Sequence, residues 1–183
     1  MLFRSLGATN ALRVLGWKSA VPVVVVDIAK GWGPTALFPA LAGVSFPGSF
    51  AFGLAAIFGH MFSFWVSFKG GKGMATGAGT FLALAPTAVG AGFVIWLGIT
   101  LATGYVSLGS IIVSAALPPL IAFTPHEGGM TLVWLTAALA VFIIWKHRSN
   151  IGRLRRGEEN RFGRGSRGSA ATSTGSQSGE DPA

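Results

Sequence analysis

Cysteine is absent from the 183 residues, which excludes disulfides, cysteine-ligated metals and thiol catalysis. Charge is scarce as well. Asp, Glu, Lys and Arg make up 11% of the chain, against roughly 25% in soluble domains. A soluble chain this poor in charge would lack the polar surface to cover its core. Acidic residues are the scarcest part, 6 against 14 Lys and Arg. Three scattered histidines with so few carboxylates make a poor ligand set, so neither a metal nor an organic cofactor is expected. Residues 1–18 are polar and lack the apolar run of a cleavable leader. No internal repeat is visible.

What is present is apolar and small: 51% hydrophobic residues and 27 glycines, a residue type that lets membrane helices approach closely. A membrane helix needs about 20 mostly apolar residues. Six segments qualify or come near: Ser19–Gly43, Pro47–Val66, Gly73–Ala85, Pro86–Thr103, Tyr105–Phe123 and Gly129–Trp145. The expected fold is therefore an all-α polytopic membrane bundle of about six spans. The third segment is short enough to be either a thin helix buried against protein or a re-entrant piece. Positive charge gathers before the first segment (Arg4, Arg13, Lys18), between the second and third (Lys69, Lys72) and after the sixth (Lys146, Arg148, Arg153, Arg155, Arg156). Alternate connections carry no Lys or Arg. Six crossings put every basic connection on one side, the cytoplasmic one, with the C-terminus there too. The basic excess then fits an anionic leaflet and not nucleic acid. Residues 1–162 read as one membrane domain. Gly163–Ala183, rich in Gly, Ser and Arg, has too little apolar surface to order itself.

Ionisable groups within apolar spans are costly and need a reason. Asp27 and Lys30 lie three apart and share a helix face, where they can pair. His60 ends an apolar segment beside several aromatics, a setting that suits packing or bracing a loop. The most telling run is Phe68-Lys69-Gly70-Gly71-Lys72-Gly73-Met74-Ala75-Thr76. Its glycines free backbone N–H groups to curl round an anion, the following helix aims its positive end there, Lys72 adds a cation and Thr76 a hydroxyl. It is not a Walker A loop, because Gly73 stands where Ser or Thr should follow the Lys. The bland reading is a flexible basic loop that only sets topology. Three further polar clusters fall on the same side: Gly7-Ala8-Thr9-Asn10 with Arg13, Tyr105-Val106-Ser107, and His147-Arg148-Ser149-Asn150 with Arg153. Four such clusters point to one anion site at the cytoplasmic interface, in an enzyme or a transporter alike.

These motifs, in this order, resemble the bacterial acyl-phosphate:glycerol-3-phosphate acyltransferases, the PlsY family. The likeness spans about Leu6–Phe162, adding Gly59-His60, Ile151, Leu154 and Gly157-Glu158-Glu159 to the runs above. It implies a seven-helix membrane enzyme of the bacterial inner membrane. Such an enzyme moves a fatty acyl group from acyl-phosphate to the 1-hydroxyl of glycerol 3-phosphate, giving lysophosphatidic acid and phosphate for phospholipid synthesis. By position in the family motifs, Arg13, Lys72, His147 and Asn150 would be catalytic. Thr9, Gly70, Gly71, Gly73 and Ser107 would bind substrate, and Asp27, Lys30, His60 and Glu159 would be structural polar groups. No His here is followed five positions later by Asp, which fits a route without a His–Asp base.

Two departures stand out. The family's Gly-Ser-Gly-Asn run before Gly7 is replaced by Leu2, Phe3, Arg4 and Ser5, and its first span has no counterpart. A start downstream of the natural one, or a diverged paralogue with weak or no activity, would each explain this. A transporter of a phosphorylated or anionic solute is the competing function. Acyl-chain preference and oligomeric state are not set by the sequence.

Overall fold

The computed structural model describes residues 7–68 and 70–162, without the side chains of Ala8 and Arg13. The expectations for residues 2–5, Lys69, the Arg13 side chain and Gly163–Ala183 lie outside these. The regular elements among the described residues are all helical. A short amphipathic helix, α1 (Ala8–Leu15), leads into α2 (Trp17–Ala42), and then follow α3 (Gly48–Met61), α4 (Met74–Leu84), α5 (Pro86–Thr103), α6 (Val106–Ala122), α7 (Gly129–Lys146) and α8 (Arg148–Arg155). A 3-10 turn, Phe64–Val66, extends α3.

All six expected apolar segments are helices, α2 to α7, and the chain is a multi-pass membrane protein. Four of them are long and apolar enough to cross a bilayer alone; α4 and α6 are shorter. With 11 residues α4 rises only about 16 Å, far below the about 30 Å of a hydrocarbon core. The segment is a short helix buried against protein, as both the thin-helix and the re-entrant reading require. Thr76, Gly77, Gly79, Thr80 and Phe81 are buried along it. Ala85 (φ −151°, ψ 66°) breaks the chain and Pro86 opens α5 directly. Proline suits that first position, where its missing N–H has no helical acceptor.

The helices meet through their small residues. A Cβ placed on Gly31 of α2 would lie 1.9 Å from the Thr76 carbonyl oxygen, and one on Gly79 of α4 would lie 2.0 Å from the Ile28 carbonyl oxygen. Backbone therefore touches backbone at the α2–α4 crossing, an approach only glycine permits. Gly53 of α3 closes on Thr35 and Thr80 at the same level. Beyond this crossing Ile57, Met61, Phe81, Ile121 and Leu132 fill the centre, each at most 2% exposed. Large apolar side chains such as Val25, Leu41, Val94, Leu101, Trp134 and Val141 face outward, as lipid allows. Several buried hydroxyls bond to their own helices: Thr35 donates to the Gly31 carbonyl and Thr136 to the Leu132 carbonyl, both at 2.7 Å. The buried Thr76 and Thr100 hydroxyls have no hydrogen-bond partner among the described residues.

The two ends of the bundle differ. At one, the Phe46 ring covers Gly128, joining the α2–α3 and α6–α7 connections. At the other, the Phe162 N–H donates to the Gly104 carbonyl at 2.6 Å, fastening the chain beyond α8 to the α5–α6 junction.

The crossing generates a test. Gly31→Ala is expected to lower stability by about 1–3 kcal/mol through overpacking against backbone. Gly33→Ala on the same helix, whose Cβ meets nothing within 4 Å, should leave the Tm unchanged or slightly raised. Thermal unfolding in detergent distinguishes them; equal Tm values would show that the crossing tolerates a side chain.

Candidate functional site

Three of the four polar clusters converge at the end fastened by Phe162. The first is the loop between α3 and α4. Ser67 and Phe68 adopt left-handed backbone (φ 51° and 60°), and Gly73 does so again (φ 78°) as the residue that caps α4. Gly73 supplies this without the steric cost a side chain would bring. The result holds Lys72 beside the positive N-terminal end of α4.

The second cluster is built at the α7–α8 junction. His147 ends α7 and starts α8, so its ring is trapped between the two, 2% exposed. Its Nδ1–H donates to the Ile143 carbonyl at 2.8 Å, one turn back, which leaves Nε2 as the acceptor nitrogen. Asn150 follows one turn later and is buried. At the end of α8, Gly157 (φ 70°) reverses the chain, with the Glu158 N–H on the Arg153 carbonyl at 2.9 Å. That turn sends Glu159 back beneath α8.

Glu159 collects the donors. Its Oε1 accepts from the Asn150 amide at 2.8 Å and from the Ser107 hydroxyl at 3.0 Å, and its Oε2 accepts from the Arg153 Nε at 2.7 Å. Asn150 in turn accepts from the Lys72 ammonium through its Oδ1. The Asn150 amide is thus oriented by opposite demands, its oxygen toward a cation and its NH2 toward a carboxylate. A continuous line runs Lys72–Asn150–Glu159, with Ser107 and Arg153 on the carboxylate. Burial would raise the Glu159 pKa, but the bonds from Asn150, Arg153 and Ser107 outweigh it and hold the carboxyl below its ordinary range. His147 is pushed the other way in charge: burial first, then the nearby Lys72 ammonium, lower its pKa, and the imidazole is neutral at pH 7.

Lys72, Ser107, Asn150 and Glu159 are therefore bonded together, with His147 a turn away. Gly70 and Gly71 lie instead against His60. Lys30 donates to Asp27 at 3.0 Å; Asp27 is buried and Lys30 half exposed, its ammonium reaching outward from the span. Thr9 is exposed on α1, which packs along α2, and no described hydrogen bond joins it to the cluster. Thr76, read from sequence as a further hydroxyl for the anion, is fully buried and packed on Gly31, because the α2–α4 crossing claims that face of the helix. Arg153 was not assigned a role by sequence, although it lies three residues after Asn150 and so on the same helix face. Arg161, which donates to the Tyr105 hydroxyl at 3.0 Å and stacks over its ring, was also overlooked.

Glu159 offers a measurable signature. Its folded pKa lies below the unfolded value near 4.5, so the unfolded chain takes up protons first as pH falls. The stabilisation is complete above that value and is lost as pH drops through the folded pKa. Glu159→Gln is expected to be less stable than the parent at pH 7, with the difference shrinking toward pH 3 in unfolding experiments. A difference independent of pH would remove the charge from the account.

Comparison with known proteins agrees with this architecture. Residues 3–157 match the family model for glycerol-3-phosphate acyltransferase. The chain is 43% identical over 158 residues to the glycerol-3-phosphate acyltransferase of Geobacter sulfurreducens, covering 86% of this chain and 80% of that one. Against the enzyme of the same name from Fusobacterium nucleatum the identity is 41%, covering 85% and 79%. Among solved structures, PlsY (YgiH), an integral membrane glycerol 3-phosphate acyltransferase, superposes in its glycerol 3-phosphate form with a TM-score of 0.78 at 37% identity, covering 87% of this chain and 78% of that one. Its lysophosphatidic acid form gives 0.77 at the same identity, covering 87% and 80%. By sequence and fold together, this chain belongs to the glycerol-3-phosphate acyltransferase family.

Proposed function

We propose that this chain transfers a fatty acyl group from acyl-phosphate to the 1-hydroxyl of glycerol 3-phosphate, at the cytoplasmic face of the bacterial inner membrane. The observation that carries the reading is the bonded line Lys72–Asn150–Glu159 beside a buried neutral His147. Both substrates bear phosphate, and the loop offers a lysine, glycine backbone and a helix N-terminus for one of them. Arg13 would add a planar fork for a phosphate, with Thr9 and Ser107 near the substrates. The line in the bundle fixes the Asn150 amide and, through it, the Lys72 ammonium, so neither reorganises when charge shifts during reaction.

The chemistry asks little else of the protein. The hydroxyl oxygen of the acceptor forms a bond to the acyl carbonyl carbon. The bond from that carbon to the phosphate oxygen breaks, its electron pair leaves with phosphate, and the hydroxyl proton ends on that phosphate. The leaving group is already good, so holding the two substrates in line is the larger part of the task. Neutral His147 presents Nε2 as an acceptor for the hydroxyl, and Lys72 with the glycine N–H groups stabilises the departing charge. The apolar chain of the donor lies among the helices or in lipid. Grouping of the polar clusters at one end favours this over a solute pathway, which would need polar groups along the bundle.

Membranes from a strain lacking the activity provide the assay. Lysophosphatidic acid should form from glycerol 3-phosphate with palmitoyl-phosphate and not with palmitoyl-CoA, and Lys72→Ala should reduce it by about 100-fold or more. Product from the CoA donor, or full activity in the variant, would overturn the donor or the site respectively. With His147 held neutral by burial and Lys72, kcat/KM should be flat near pH 7 and fall only below about 6.5 as the ring protonates. A fall above that value would mean that His147 does not act as the acceptor.

A further inference from the structure

His60 is partly buried at the loop end of α3 and is not used in the mechanism above. Its Nδ1 lies 3.4 Å from Asp27 Oδ1, the same oxygen that accepts from Lys30 at 3.0 Å. The opposite edge of the ring faces the glycine loop. A Cβ on Gly71 would fall 2.2 Å from His60 Nε2, and one on Gly70 would fall 2.0 Å from the His60 carbonyl oxygen. At Gly70 and Gly71, immediately before Lys72, the loop backbone is moulded on this one residue. The Asp27 carboxylate thus lies against the Nδ1 edge of the ring, and the Nε2 edge faces the loop. The pair is expensive to keep within a span, since Asp27 is 4% exposed and the His60 side chain 10%. Packing alone would be met as well by an apolar residue.

We propose that Asp27 and His60 are positioning residues for the acyl transfer: the carboxylate of α2 locks the imidazole of α3, and the imidazole sets the height of Gly70–Gly71 and hence the reach of Lys72 toward Asn150. This rests on the proposed function for its kinetic consequence, but its structural consequence stands apart. Because the chain has no native cysteine, a spin label on Ser67→Cys reports loop motion without interference. His60→Ala and Asp27→Ala should each sharpen the label spectrum. They should lower kcat/KM for glycerol 3-phosphate about tenfold, through a lower kcat as well as a higher KM, because Lys72 both meets phosphate and steadies the departing charge. Asp27→Asn keeps an acceptor oxygen of the same shape and should restore most of both. Gly71→Ala should lower the Tm in the parent and cost clearly less in His60→Ala, since the clash is with that ring. If His60→Ala does not fold, the two Asp27 variants decide the matter. Unchanged spectra and kcat/KM in folded variants, or an equal Gly71→Ala penalty in both backgrounds, would overturn the proposal. A parent that makes no lysophosphatidic acid would refute the assigned reaction, while the spectra and the Tm cycle would still judge the pair.

Discussion

The bundle hangs on a contact between two backbones. Where Gly31 of α2 meets the Thr76 carbonyl, and Gly79 of α4 meets the Ile28 carbonyl, no side chain intervenes. In lipid the apolar surface of one helix has no preference for another helix over hydrocarbon, so close approach and the dispersion it brings must hold the pair. The arrangement at the polar end follows from that placement. It draws α4 into the centre of the bundle, aims its N-terminus at the point where the other polar segments arrive, and commits Thr76 to packing.

The length of α4 shapes the site as much as its position. It shares a corner with α5 at Ala85–Pro86 but is seven residues shorter. If the two run side by side, its loop end stops about 10 Å short of the end of α5. Lys72, one residue before the Gly73 cap of α4, is half-buried at that end. Its partners come from beyond α7, through a helix of 8 residues and the Gly157 reversal, which together return Asn150 and Glu159 to that depth. A low dielectric strengthens each bond in this line and also penalises any member left without its partner.

Much of this was legible in the sequence. The apolar segments were long, and only the short third one was ambiguous; its burial depended on the glycine match with α2, a pairing between distant positions that periodicity does not encode. Lys72, Asn150 and Ser107 were found because polar residues at a membrane boundary stand out and because several motifs occurred together. The sequence showed less well what each does to its neighbours. Ser107 was read as a substrate contact, and here its hydroxyl bonds Glu159. Arg153 was placed in a polar cluster, but its bond to Glu159 depends on the Gly157 turn and could not be read from spacing. Thr76 was misread because a hydroxyl one turn into a helix can face a site or a neighbour, and only the crossing angle decides which.

Glu159 is the last of the bonded group to be synthesised: positions 72, 107, 150 and 153 all precede it. A ribosome could deliver all six apolar helices into the bilayer while this carboxylate was still inside its exit tunnel. At that stage Ser107, Asn150 and Arg153 would lack their common acceptor, and the cation they help to place would be unsupported. Delivery of the apolar helices and completion of the Glu159 hydrogen bonds are therefore separable in the order of synthesis, and the second waits on the turn that follows α8.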